Sequence, residues 1–234
     1  MSDIRGRNKI AVILNDDEKP ESTLPYIKFI KSIGKYNVWI VDGKYIRKNI
    51  DEDFTNFGQH YRFAFIPLNE FWIDIENTSG EISYFIDHLI MEHKLMDQGF
   101  SYNAALEIAD QVEKNERYKS EKFKKYENVK NYDEKVKDVK KELLGNRNGF
   151  DIWLIDGELV RDWFYIDFTA GGHHLVYPWI PYNEIWIDDD IEEVEVPFVL
   201  LHEYVERNFM SNGDSYSIAH NKSLKIELDA RRNN

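Results

Sequence analysis

The 234-residue chain contains no cysteine. That excludes disulfides, thiolate zinc clusters and a cysteine nucleophile. Long apolar runs are also missing: none approaches the roughly 20 residues that span a bilayer, so no membrane partner is expected. Positive charge is in short supply, with 30 Lys and Arg against 43 Asp and Glu and a formal net charge of −13. A surface this acidic repels phosphate backbones, and nucleic acid is not an expected partner. Met1–Lys9 is not followed by an apolar stretch with a small-residue cleavage site, so no signal peptide is expected and the cytoplasm is the expected address. The Gly-x-Ser-x-Gly elbow, the Walker-type phosphate loop and the dinucleotide fingerprint are absent. So are the Glu-x-x-His spacing of di-iron bundles and the Asp-x-Asp-x-Asp-Gly calcium loop.

What the chain does have is apolar and aromatic mass: 42% hydrophobic residues, with six Trp and fourteen each of Tyr and Phe. That is enough for one large domain or two small ones with their own cores. Its richness in Lys, Asn, Ile and Tyr fits an AT-rich genome, bacterial or phage.

Shifted by 114 residues, the sequence matches itself. Tyr36–Arg117 overlays Phe150–Arg231 without a gap, with about 26 identities over about 82 positions. VWIVDGKYIR (38–47) pairs with IWLIDGELVR (152–161), each read as two short strands around an Asp-Gly hairpin turn. DFTNFGQH (53–60) pairs with DFTAGGHH (167–174). RFAFIPLNEFWID (62–74) pairs with VYPWIPYNEIWID (176–188), read as strand, proline turn and strand. Glu81–Met96 and Glu195–Met210 read as helices stopped by Gly99 and Gly213. Ser101 and Ser215 read as N-caps of a last helix. Leading helices are expected over Leu24–Ser32 and Asp133–Leu144. The Lys/Glu-dense run 119–141 is read as a solvated extension of the first copy's last helix. The expected fold class is α+β, a tandem duplication of a module of short antiparallel strands followed by two helices. Residues 1–117 form the first copy, 118–149 a charged helical linker with a leading helix, and 150–234 the second copy.

Leu200-Leu201-His202-Glu203-Tyr204-Val205-Glu206 carries the sharpest chemistry. His202 and Glu206, at i and i+4, share a helix face, and both are good ligands for a divalent cation. Glu203 stands beside the first ligand, where a carboxylate can take a proton from a water on the metal. His220 follows fourteen residues after Glu206, beyond the Gly213 break, and a helix hairpin can return it as the third ligand. A fourth position then stays open for water, as catalytic zinc requires.

This segment resembles the zincin metallopeptidases, in which strands precede a helix bearing His-Glu-x-x-His and a following helix supplies another ligand. The resemblance covers about 50 residues and implies His202, Glu206 and His220 as metal ligands, zinc first, and Glu203 as general base. The sequence departs from the family in carrying Glu206 where the motif has its second His.

The first copy keeps His88 and Glu92 but has Leu89 and Leu106 at the positions of Glu203 and His220. It is therefore expected to be degenerate: a scaffold, a dimer-like partner or a docking surface. Also retained in both copies are His60/His174, Glu70/Glu184, Asp74/Asp188, Glu81/Glu195, Glu113/Glu227 and Arg117/Arg231. Glu195 and Glu227 are candidates for a fourth ligand or for orienting a ligating His. Glu227 and Arg231 equally suit an ordinary i, i+4 pair. Gly171-Gly172-His173-His174 reads as a glycine-rich turn from which His174 can reach a metal, and Asp188-Asp189-Asp190 as a solvated acidic turn. The functional expectation is a metal-dependent, peptidase-like hydrolase acting in the second copy. The alternative is a non-enzymatic structural or protein-binding module, such as a virion component. The partner in either case is a protein or peptide.

Overall fold

A computed structural model describes residues 25–78, 80–126 and 131–233. The Met1–Lys9 segment and Leu24 lie outside the described residues. Module one runs β1 (Tyr26–Ile33), β2 (Tyr36–Val41), α1 (Gly43–Asn49), β3 (Phe57–Gln59), β4 (Glu70–Asp74), α2 (Ile82–Asp97) and α3 (Tyr102–Lys119). Two short helices follow, α4 (Glu121–Tyr126) and α5 (Tyr132–Asp138). Module two repeats the order as β5 (Lys140–Arg147), β6 (Phe150–Ile155), α6 (Gly157–Trp163), β7 (Gly171–His173), β8 (Glu184–Asp188), α7 (Val196–Ser211) and α8 (Tyr216–Arg232). The duplicated α+β architecture stands as expected from the sequence.

Each sheet has the order first, second, fourth, third strand of its module. One pairing in each is parallel rather than antiparallel: β2 with β4 and β6 with β8. These central pairs set Trp39 opposite Trp72 and Trp153 opposite Trp186. Side chains alternate along a strand, so β4 sends Phe71 and Ile73 to one core with Val38, Ile40, Phe85 and Leu89. It sends Trp72 to the other, with Ile46, Phe54, Phe63 and Ile66.

Several local expectations give way to the structure. The Asp-Gly pairs are helix starts, not hairpin turns. Asp42 and Asp156 are N-caps whose side chains accept from the backbone N–H of Tyr45 and Leu159. A type I′ turn needs positive φ, and neither Gly43 nor Gly157 has it. Glycine is needed there because the Asp74 and Asp188 carboxylates occupy the space; a Cβ would lie 1.7 Å and 2.1 Å from their oxygens. The real hairpins lie earlier. The expected leading helices are strands β1 and β5, with only α5 helical in the second. In module two the turn is Asn148-Gly149, both at positive φ, a type I′ signal in plain sight. The run 119–141 is not one helix: α3 ends at Lys119, and α4, α5 and β5 follow, with residues 127–130 outside the described ones. Of the two strands expected around each proline turn, only β4 and β8 form; the other strand is β3 or β7. Gly99 and Gly213 do end α2 and α7, at φ 91° and 101°. Ser101 accepts from the Ala104 N–H at 3.4 Å, whereas Ser215 holds the N-cap position without a side-chain bond.

The modules meet through buried charge. Arg47 of α1 donates to Asp74 and Glu76 of its own module and, at 3.1–3.2 Å, to Glu195 at the head of α7. Arg161 of α6 mirrors it, donating to Asp188, Asp190 and, across the interface, Glu81. Glu81 and Glu195 each also accept from the arginine of their own last helix, Arg117 and Arg231. The Asp188-Asp189-Asp190 turn is thus bound up in ion pairs, with Asp189 held by Lys141. Burial pushes the Glu81 carboxyl up, but Arg161 and Arg117 outweigh it and hold it below the usual carboxylate range. Its stabilisation is therefore present above the ordinary carboxylate pKa and drains away as pH falls through the lowered value.

Removing one partner of a buried pair strands the others without water. Glu195→Gln is expected to cost about 3–5 kcal/mol in urea unfolding. Glu116→Gln, which breaks the exposed pair with Lys119, is expected to cost below about 1 kcal/mol. Similar losses for the two would show that the interface does not depend on this charge.

Candidate metal centre

Three elements of module two converge on Glu206. The strand β7 alternates, so Gly171 and His173 face α7 while Gly172 faces Phe168 and Tyr177. Strand and helix are close enough that a Cβ on Gly171 would meet Val199 Cγ1 at 2.9 Å and Glu203 Cγ at 3.1 Å. The helix hairpin α7–α8 brings the His202 and His220 rings to 4.9 Å between centroids.

The carboxylate of Glu206 divides its oxygens between two tasks. Oε2 lies 2.8 Å from His220 Nδ1 and 3.5 Å from His202 Nε2, and those two nitrogens are 3.2 Å apart. Bonds of about 2.0–2.1 Å to a tetrahedral cation give edges of about 3.3 Å, so this triangle has the dimensions of three ligands around one ion. Oε1 instead accepts from His173 Nε2 at 3.1 Å.

His173, Glu203 and Glu206 also place their donor atoms within 4.8 Å of one another, yet they do not fit a second ion. His173 Nδ1 accepts the Leu175 backbone N–H at 3.3 Å, so the ring proton sits on Nε2 and points at Glu206. Module one shows the same service done by an amide. Gln59 accepts the Tyr61 N–H at its Oε1 and donates from Nε2 to Glu92 Oε1 at 2.7 Å. His173 is thus a donor that steers Glu206, a role glutamine also fills.

Both ligand imidazoles have an outer carboxylate. His202 Nδ1 donates to Glu227 Oε2 at 2.8 Å, and Glu227 is in turn held by Arg231, which reaches Glu195. Glu227 therefore both orients a histidine and forms the i, i+4 helix pair, while Glu195 belongs to the interface and not to the centre. His220 Nε2 lies 3.4 Å from Asp53 of module one. Such partners fix tautomer and ring orientation in metal sites.

The electrostatics are those of a charged cluster. Burial disfavours the imidazolium of His202, but the Glu206 and Glu227 carboxylates overcome it and raise the pKa to about 10. Burial likewise opposes charge on His220, and Asp53 and Glu206 raise it to about 9. Glu206 is held well below the usual range: hydrogen bonds from His173, His202 and His220 outweigh the upward push of burial. Glu203 is buried and pushed up to about 7, chiefly by desolvation. No hydrogen bond among the described residues holds its carboxylate. It borders a cavity of about 90 Å³ together with His202 and His220 on one side and Asp53, Thr55 and Asn56 on the other.

The sequence-derived set of His202, Glu203, Glu206 and His220 is therefore gathered in one cluster, of which His202, Glu203 and His220 border the cavity. His174 is not part of it; its ring packs on Tyr182 at 4.4 Å. The residues missed were His173 and Asp53. Strand alternation places His173 beside Gly171, and Asp53 stands in the matched Asp-Phe-Thr segment of both copies.

Module one keeps the frame without the donors. His88 lies 3.5 Å from Glu92 and 3.0 Å from Glu113, as His202 does from Glu206 and Glu227. Phe57 stands where Gly171 lets strand and helix approach in module two, and its ring packs on Phe85 and His88. Among the described residues no trio of ligand atoms gathers around His88. Instead a cavity of about 210 Å³ borders His88, Glu92 and Leu106.

Comparison with known proteins gives no match to a protein family, a curated protein or a solved structure.

The amide of Gln59 sets an expectation for module two. His173→Gln is expected to change metal-free stability by less than about 1 kcal/mol. His173→Leu, which leaves Glu206 Oε1 without its donor, is expected to cost about 1.5–3 kcal/mol. Equal losses in thermal or urea unfolding would refute the donor role.

Proposed function

We propose that module two is a metal-dependent hydrolase of peptide bonds. The observation that carries this reading is the triangle of His202 Nε2, His220 Nδ1 and Glu206 Oε2, with edges of 2.8–3.5 Å, whose two histidines border a cavity together with Glu203. A divalent cation held there, zinc first, supplies the positive charge that acidifies a water and polarises a carbonyl. The chain's own groups supply the rest. His202 and His220 bind through nitrogens whose opposite ring positions face carboxylates. Glu206 offers one oxygen to the ion while His173 holds the other. Glu203, with a pKa raised to about 7 by burial, is poised to accept a proton near neutral pH.

The resemblance to zincins supports the peptide as substrate class. Its order of strand, motif helix and ligand-bearing helix corresponds to β8, α7 and α8. The carboxylate at Glu206 is the point of difference, and it suits a divalent cation as well as imidazole does.

A second reading, a non-enzymatic structural or binding module, is favoured by module one. There the chain His88–Glu113–Arg117–Glu81 persists without Glu203 or His220 counterparts, so this polar chain serves the fold whether or not a metal is present.

Elemental mass spectrometry separates the two readings. The hydrolase reading expects about one equivalent of zinc in the wild type and none in His202→Ala. It further expects Glu203→Gln to retain the metal while peptide cleavage falls about 10²–10⁴-fold. Absence of metal after incubation with zinc would refute the enzyme and leave the binding module. Undiminished cleavage by Glu203→Gln would remove the assigned base.

A further inference from the structure

We infer that the metal centre of module two is completed from module one, with Asp53 acting as the positioning residue for His220. This rests on the metal reading above and adds to it the reason the site needs both modules.

Only one nitrogen of His220 is available to an ion. Nδ1 faces Glu206 Oε2 and His202 Nε2, so it is the atom that meets an ion, and it must offer its lone pair. In a neutral imidazole the proton then sits on Nε2. The Nε2–H needs an acceptor, and the one in place is Asp53 Oδ1, 3.4 Å away. His202 has its Nε2 at the ion and its Nδ1–H on Glu227. His220 is its reverse, with Nδ1 at the ion and Nε2–H on Asp53. One outer carboxylate comes from the same module and the other from its neighbour.

The backbone around Asp53 suits this placement. Asn56, three residues on, adopts the left-handed region at φ 37°, and its carbonyl accepts the Asp74 N–H at 2.7 Å. Asp53, Thr55 and Asn56 all border the cavity that holds His202, Glu203 and His220. The Tyr216 ring stacks on His220 at 5.3 Å and limits its other motions. The exposed Arg62 also binds Asp53 and ties it to module one, so the carboxylate is anchored on both sides.

The tandem fold provides an internal control. Asp167 is the duplicate of Asp53 and borders the cavity of module one. The residue matching His220 there is Leu106, so no imidazole from the last helix faces Asp167, which pairs instead with Asp110. A loss that came only from disturbing the paired loops would appear equally on substitution of either aspartate.

The test is zinc affinity of the full chain, measured by competition with a chromophoric chelator, together with the nitrogen chemical shifts of His220 in the zinc-loaded protein. Asp53→Ala is expected to weaken zinc about 10–100-fold and to alter the His220 Nε2 signal. Asp53→Asn, whose amide oxygen still accepts, is expected to recover part of the affinity, and Asp167→Ala to leave it unchanged. Unchanged affinity in Asp53→Ala, or equal weakening by both alanine variants, would overturn the positioning role while leaving the metal centre standing. A wild type that binds no zinc would remove the centre and this inference together.

Discussion

At the head of α7 the Glu195 carboxylate is buried, and the two guanidiniums that pair with it come from opposite halves of the molecule. Desolvating three charges is costly unless each finds good partners. Here every member has several: Arg47 reaches three carboxylates, and Arg231 bridges Glu195 and Glu227. The consequence runs into the candidate site. Glu227 is set by Arg231, His202 is set by Glu227, and so the geometry of a metal ligand depends on how the modules dock. The same chain of contacts in mirror order leads from Arg161 through Glu81, Arg117 and Glu113 to His88.

Against that shared frame, the two modules differ where chemistry would occur. Gly171, His173, Glu203 and His220 have Phe57, Gln59, Leu89 and Leu106 as counterparts. Three of these changes replace a polar group or a close strand–helix approach with apolar volume, and the fourth keeps the hydrogen bond. Phe57 and Leu89 present apolar side chains to the cavity of module one, whereas Glu203 presents a carboxylate to the cavity of module two. The identities include the arginines and glutamates that cross between the modules, Arg47/Arg161 and Glu81/Glu195.

How much of this was legible depended on the range of the interactions. The duplication, the two C-terminal helices and their glycine stops follow from local pattern, as does the placing of His202 and Glu206 on one face. The failures share a cause. Asp42-Gly43 reads as a hairpin because turn chemistry and helix capping use the same residues. What decides between them is the Asp74 carboxylate packed against Gly43, 31 residues away. β1 and β5 carry helix-tolerant sequences and become strands by pairing with β2 and β6. His173 lost to His174 because the glycine pair suggested a turn, whereas pairing with β8 makes it a strand and fixes which histidine points inward. Asp53 lies 167 residues from His220, and no local pattern joins them.

The reciprocal reach of Arg47 and Arg161 has the form of an isologous contact: each half presents the same arginine to the same glutamate of the other. Such an interface closes on itself, and two separate identical subunits satisfy it as readily as two halves of one chain. Joining the halves through α4 and α5 makes docking intramolecular, so that assembly no longer depends on protein concentration. It also ends the requirement that both faces be encoded by one stretch of sequence. Each half always meets the other and never itself, which leaves one free to keep a reactive centre and the other free to become its wall.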